Sequence, residues 1–162
     1  MAQARALLLE EYLPKIELCL EHLTNEQIWW RPNEQSNSIG NLLLHLAGNA
    51  RQWIVSGVGV QLDKRERDWE FAQRSGMTRE ELLKRLRETL VEVDNVLATV
   101  DHSILLERRK IQSTKPTVLE AIFHVTEHFS MHTGQIILLT KLLTARDMNF
   151  YDFPDGLPIH SW

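Results

Sequence analysis

Apolar residues spaced three and four apart recur in four separate stretches of the chain, and this spacing constrains the fold more than any other feature. In the first, Leu9, Leu13, Ile16, Leu20 and Leu23 line one face of a helix expected over Leu7 to Leu23. Pro14 lies inside it, and a proline removes a backbone donor and clashes with the preceding turn. A kink at that point, or a regular helix beginning there, is expected. The second stretch offers Ser36, Asn37 or Ser38 as a cap, then Ile39, Leu42, Leu43, Leu46, Ala50, Trp53 and Ile54, with Gly57 and Gly59 ending it. The third opens on Thr78-Arg79-Glu80-Glu81, a capping box, and carries Leu82, Leu83, Leu86, Leu90, Val93 and Leu97 to about Val100. The fourth starts near Pro116 and continues through Leu119, Ile122, Val125, Phe129, Ile136, Leu139 and Leu143. Four helices of similar length must bury their stripes against one another, which implies an all-α four-helix bundle.

The 162 residues, 43% hydrophobic and 25% charged, read as a single domain spanning 1–162 with no repeat or linker. Between the second and third helices, Val58 to Met77 is too long for a tight antiparallel turn. Its charged "LDKRERDWEF", with aromatics interleaved, is expected to cross the bundle or cover its mouth. "ERRKIQSTK" allows a short extended piece, and the tail from Asp147 to Trp162 reads as irregular. A net charge of -4 with cations and acids interspersed gives no stripe for nucleic acid. No long uncharged apolar run is present, and "MAQARALLLEEYLP" lacks a leader's small-residue cleavage site, so a cytoplasmic protein with no membrane partner is expected. The one cysteine, Cys19, sits among leucines and reads as a small core residue.

Chemistry concentrates on the fourth helix, where His124, His128 and His132 follow one another at four-residue spacing. A rise of ~1.5 Å per residue puts the outer two ~12 Å apart, so they cannot share an ion. Metal-nitrogen bonds of ~2.0 to 2.1 Å keep two ligand nitrogens within ~4 Å, which only an i, i+4 pair meets. His128 therefore belongs to any metal site here, with either His124 or His132. Ala121, Val125, Ile136 and Leu139 surround His128 and His132, so both imidazoles are expected to face the interior. His124 has Glu120 and Glu127 one turn away and reads more simply as a hydrogen-bonded or ion-paired histidine at the edge of the stripe. On the second helix His45 is a third candidate ligand able to serve either pair, with Asn41, Asn49 and Gln135 as polar neighbours or solvated positions. Gly48 and Gly134 are costly in mid-helix and imply close approach of another backbone or room beside the site.

"SIGNLLLHLAGNARQWI", followed some eighty residues later by "HVTEHFSMHTGQIILLTKLL", resembles the DinB/YfiT-like superfamily of metalloenzymes. The resemblance runs from "YLPKIELCLEHL" to "TARDMNFYDF". It implies an antiparallel four-helix bundle, often a homodimer, with a divalent metal on three histidines. The helix-two histidine falls on His45, and the H-x-x-x-H-x-G-Q signature on His128, His132, Gly134 and Gln135. By the same resemblance the activity is metal-dependent hydrolysis, or transfer of low-molecular-weight thiols to a small-molecule substrate.

His124, Glu127 and His128 also spell H-x-x-E-H, in which Glu127 would be the base of a metalloprotease. The match of "HFSMHTGQ" to the bundle family counts against it. An open tris-histidine centre keeps its full positive charge and lowers the pKa of a water or thiol bound to it. Glu127 lies ~100° around the helix from His128, at the limit of a base's reach. Trp29, Trp30, Trp53 and Arg31 are candidates to line a substrate pocket or to pack in the core. No catalytic residue is assigned. Imidazole suits several ions, of which Zn or Ni is favoured, with Fe or Mn as alternatives. A bundle that binds metal or ligand without turnover is the second reading.

Overall fold

The computed structural model describes all residues from Met1 to Trp162. Four long helices pack side by side around one apolar core: a first over 2–21, a second over 39–58, a third over Arg79–Thr99 and a fourth over Val118–Thr144. Phe129, Ile16, Leu20, Leu43, Leu46, Ile54 and Leu86 are all fully buried at its centre. No helix is long and apolar enough to cross a membrane.

Local chemistry sets the ends of these helices. Ser38, Thr78 and Thr117 each accept from the backbone amide three residues on, while Asn41, Glu81 and Glu120 reach back to the cap residue's own amide. Of the three candidate caps for the second helix, Ser38 is the one used. The fourth helix is capped by Thr117, so Pro116 lies just outside the helix instead of in its first turn. Ala145, left-handed at φ 54°, closes that helix by donating to Lys141.

Around Pro14 the first helix does not break. It begins at Ala2 and widens into a π-helical stretch over Leu7–Tyr12, and regular α-helix resumes at Leu13. The wider turn carries the upstream carbonyls away from the proline ring, which would strike the carbonyl four residues back in an unbroken α-helix. The second helix widens similarly over Arg51–Val58, running through Gly57 and stopping at Gly59.

Side-chain contacts give the helix directions. Arg5 is bonded to Asp94 and Arg79 donates to Leu20, so the first and third helices are antiparallel. His45 meets His132 side and Asn49 meets His124, so the second and fourth are antiparallel too. The second and third run the same way, because Arg51 pairs with Glu92 and a Cβ on Gly59 would touch Val96. Two parallel neighbours in sequence cannot be joined by a tight turn, and the long 59–78 segment is the crossover this arrangement requires. Within it a short helix, Arg67–Ala72, packs against the second bundle helix. A further short helix, Asn25–Trp29, links the first two bundle helices.

The extended piece expected in "ERRKIQSTK" is present as two isolated bridges, Arg108 to Thr117 and Ile111 to Thr114. The tail is more ordered than its sequence suggests. Strands β1 (Tyr151–Asp152) and β2 (Ile159–His160) pair antiparallel, and Tyr151 joins Glu11 and Lys15 of the first helix. Short segments tied down by side-chain bonds carry little hydrophobic periodicity, which is why the pairing was not legible. Cys19 is fully buried, with its thiol pushed up to about 11 by burial.

Replacing Phe129 by Ala should cost about 3–5 kcal/mol in chemical denaturation, because a fully buried ring is lost from a close-packed core.

Candidate metal centre

Three imidazoles converge where the second and fourth helices cross. His45 Nε2 lies 3.0 Å from His128 Nε2, and His132 Nε2 lies 3.2 Å from it. One ring nitrogen from each of the three lies within 4.8 Å of the others. Two nitrogens bound to one cation at ~2.0–2.1 Å stand roughly 2.9–3.4 Å apart for octahedral or tetrahedral angles, which is the spacing of the His45–His128 and His128–His132 pairs. His45 and His132 are buried and His128 half-buried.

Hydrogen bonds on the far side of two rings decide which nitrogens face inward. His132 donates from Nδ1 to Gln135 Oε1 at 2.6 Å. His45 donates from Nδ1 to Glu70 Oε2 at 3.1 Å. Arg65 also stands near His45 Nδ1, at 3.0 Å, but a guanidinium only donates, so its bonds go to Glu70 at 2.7 and 2.8 Å. With the proton on Nδ1, each Nε2 carries a lone pair toward the cluster. His128 has no partner at Nδ1, and its Nε2 faces two other acceptors. Acceptors converging in a buried space need something electropositive between them. The donor set thus fits a divalent cation.

Glu70 and Arg65 were not found in the sequence as site residues, although "LDKRERDWEF" was expected to cover the bundle mouth. Burial raises the Glu70 carboxyl, but bonds from Arg65 and His45 outweigh it and hold the carboxyl below its ordinary value. Gly48 makes the brace possible, since a Cβ there would overlap the Glu70 carboxylate. Phe71, from the same short helix, lies 4.7 Å from the His45 ring. The signal in the sequence was an acid and a base embedded in a loop with aromatics, but nothing local told which acid turns inward.

The other candidates are placed as follows. His124 stacks on Trp53 with centroids 3.8 Å apart, and its Nε2 accepts from the Asn49 amide at 3.2 Å. The structure therefore brings His132, and not His124, together with His45 and His128. Glu127 is exposed and has no contact with the cluster. Asn41 is fully buried; it accepts from Ser38 and Arg31 and donates to the Glu70 and Gln73 carbonyls, tethering the crossover. Trp29 donates to the Met77 carbonyl and packs over Gly40, whereas Trp30 is partly exposed. Trp29 and Trp30 line a surface cavity with Met77 and Thr78, and Arg31 lines another with Asn33 and Arg74, both away from the imidazoles. Around Gly134 a Cβ would meet nothing within 4 Å, so no backbone of its own chain accounts for it.

Two expectations follow. Glu70→Gln leaves the buried Arg65 without a counter-charge and should destabilise the fold by about 3–5 kcal/mol; a loss under ~1 kcal/mol in urea titration contradicts the brace. The second concerns pH. Burial first, then neighbouring His132 and His45, push the His128 imidazole down to about 3, and His132 and His124 are lowered in the same direction by burial. Unfolded histidines take up protons near pH ~6.5 while the folded ones resist, so the unfolded state gains protons and stability falls as pH falls below that value. The Tm of metal-free protein should decline on acidification through this window, with a shallower slope in His128→Gln.

A family model described as "Protein of unknown function (DUF1572)" matches residues 2–157. Among solved structures, a conserved protein from Enterococcus faecalis superposes with a TM-score of 0.74 at 15% identity, covering 90% of this chain and 97% of that one. A DinB-like protein from Bacillus cereus superposes with a TM-score of 0.62 at 16% identity, covering 83% and 92%. At these identities the likeness speaks for the fold. No curated protein matches the sequence.

Proposed function

We propose that this chain, which belongs to the DinB/YfiT-like family described as "Protein of unknown function (DUF1572)", holds one divalent cation on His45, His128 and His132 and acts as a metal-dependent hydrolase or low-molecular-weight-thiol transferase. The observation that carries this reading is the convergence of three Nε2 atoms at 3.0 and 3.2 Å with Glu70 and Gln135 behind two of the rings. Three neutral imidazoles leave at least one position for a small molecule, the pattern of a centre that does chemistry. Three imidazoles suit Zn, Ni, Fe and Cu alike, and Zn or Ni is the ion proposed, with Fe or Mn as alternatives.

A divalent cation held there supplies positive charge that lowers the pKa of a water or thiol brought to it. The protein's own groups do the rest. Glu70 and Gln135 fix the ring orientations and the protonated nitrogen of His45 and His132. Phe71 and the crossover helix shield one side of the His45 ring from water. No carboxylate is free to take a proton at the cluster, because Glu70 is committed to Arg65 and His45 and Glu127 is exposed. This favours a thiol as nucleophile, since a thiol with a pKa of ~8.5 ionises beside a cation without a dedicated base. The same lack of a base is what supports the second reading, a bundle that binds metal or ligand without turnover.

Metal analysis of protein purified without an affinity tag should give close to one divalent ion per chain. The ion should be lost in His45→Ala, His128→Ala and His132→Ala and largely kept in His124→Ala. Loss in His124→Ala with retention in His132→Ala would show the ligand set to be wrong. Screening the metal-loaded protein with thiol cosubstrates and small esters or amides then separates the two readings, and no metal-dependent turnover favours the binding module.

A further inference from the structure

Half-buried arginines in this protein are paired with acids, with one exception. Arg5 pairs with Asp94, Arg51 with Glu92, Arg65 with Glu70, Arg79 with Glu80 and Arg109 with Glu107. Arg31 is half-buried too, yet no carboxylate pairs with it, and its Nε is shut away from water with no hydrogen-bond partner. Its Nη2 donates to a neutral acceptor, Asn41 Oδ1, at 3.0 Å. A guanidinium taken partly out of water without a counter-charge is costly to the fold and marks a place for an anion.

The group that faces Arg31 enlarges the imbalance. Arg74, just past the short helix of the crossover, lines the same surface cavity and donates from Nη1 to the Phe71 and Gln73 carbonyls at 2.7 and 2.9 Å. Those bonds hold Arg74 in place through one nitrogen and leave the rest of its fork free to donate. Burial first, then the Arg74 charge, push the Arg31 guanidinium below its ordinary value. Asn33, Glu34 and Gln35 complete the cavity, which holds about 660 Å³. Asn33 Oδ1 accepts from the Gln35 backbone amide and the Ser36 hydroxyl, so its amide nitrogen is left as a donor. Glu34 is the one acid on the wall; it is exposed and pairs with neither arginine.

We propose that this cavity binds the phosphate group of a small molecule, held between Arg31 and Arg74 with the Asn33 and Gln35 amides beside it. A carboxylate is met in full by a single guanidinium fork, whereas a phosphate group carries more acceptor oxygens and close to two negative charges, enough for two forks. The cavity is larger than a phosphate ion and has the volume of a small-molecule site, so the phosphate is the anchoring end of a larger ligand. It joins the stretch before the second helix to the end of the crossover, two segments that Asn41 already ties through the Glu70 and Gln73 carbonyls. This site stands apart from the imidazoles and does not depend on their taking a metal.

Isothermal titration calorimetry of the full chain with inorganic phosphate, against chloride at matched ionic strength, tests the proposal. Wild type should take up phosphate saturably at one ion per chain, and acetate more weakly. Arg74 is exposed, and a glutamine in its place can still donate to a neighbouring carbonyl. Arg74→Gln should therefore keep its fold and Tm, yet bind phosphate roughly tenfold more weakly. Glu34→Gln should bind it more tightly. Metal-free and metal-loaded protein should bind it alike, which separates this site from phosphate taken up at the imidazoles. Phosphate should also slow amide hydrogen exchange over Arg67 to Arg74 in wild type and not in Arg74→Gln. Binding that is unchanged in Arg74→Gln, is matched by acetate, or requires the metal overturns the proposal. So does a titration no different from that with chloride.

Discussion

A buried imidazole has two ring nitrogens to satisfy, and the bond from His45 Nδ1 to Glu70 settles both of them at once. It fixes the proton on the outer nitrogen, and so turns the Nε2 lone pair toward His128 and His132. It also pins the crossover segment to the bundle. The carboxylate keeps its charge because Arg65 holds it through two bonds, and Arg65 is itself buried. Gly48 is the space in the second helix that lets this ion pair lie so close.

The topology explains why the brace comes from a loop. With the second and third helices parallel, the chain must return the length of the bundle before the third helix can begin. That return passes the crossing of the second and fourth helices, where the imidazoles stand. Asn41, one turn ahead of His45, bonds the carbonyls of Glu70 and Gln73 and holds the crossover at that height. A segment that solves a connection problem therefore also encloses the candidate centre.

Four helices, their stripes, the Thr78 cap and a choice of three residues for the second helix's cap were legible in the sequence because each rests on local rules: apolar spacing, and a Ser or Thr followed by an acid or amide. His45, His128 and His132 could be singled out because helical rise and the resemblance to a known bundle family left one convergent set. What stayed hidden depends on contacts distant in sequence. Glu70 meets His45 across 25 residues, and Asn49 takes up His124 across 75. No local pattern distinguishes Glu70 from Glu66 four residues before it. The parallel run of the second and third helices was visible only as a loop too long for a turn. Gly134 implied close approach of another backbone or room beside the site, and its surroundings place it on the open outer face, with nothing within 4 Å of where a Cβ would stand.

X-ray absorption at the metal edge of the loaded protein tests the central claim most directly. The account predicts three imidazole nitrogens at ~2.0–2.1 Å in the first coordination shell, no ligand from the buried Cys19, and sulfur only when an external thiol is added. Two or fewer imidazoles, or a protein carboxylate in that shell, would contradict it.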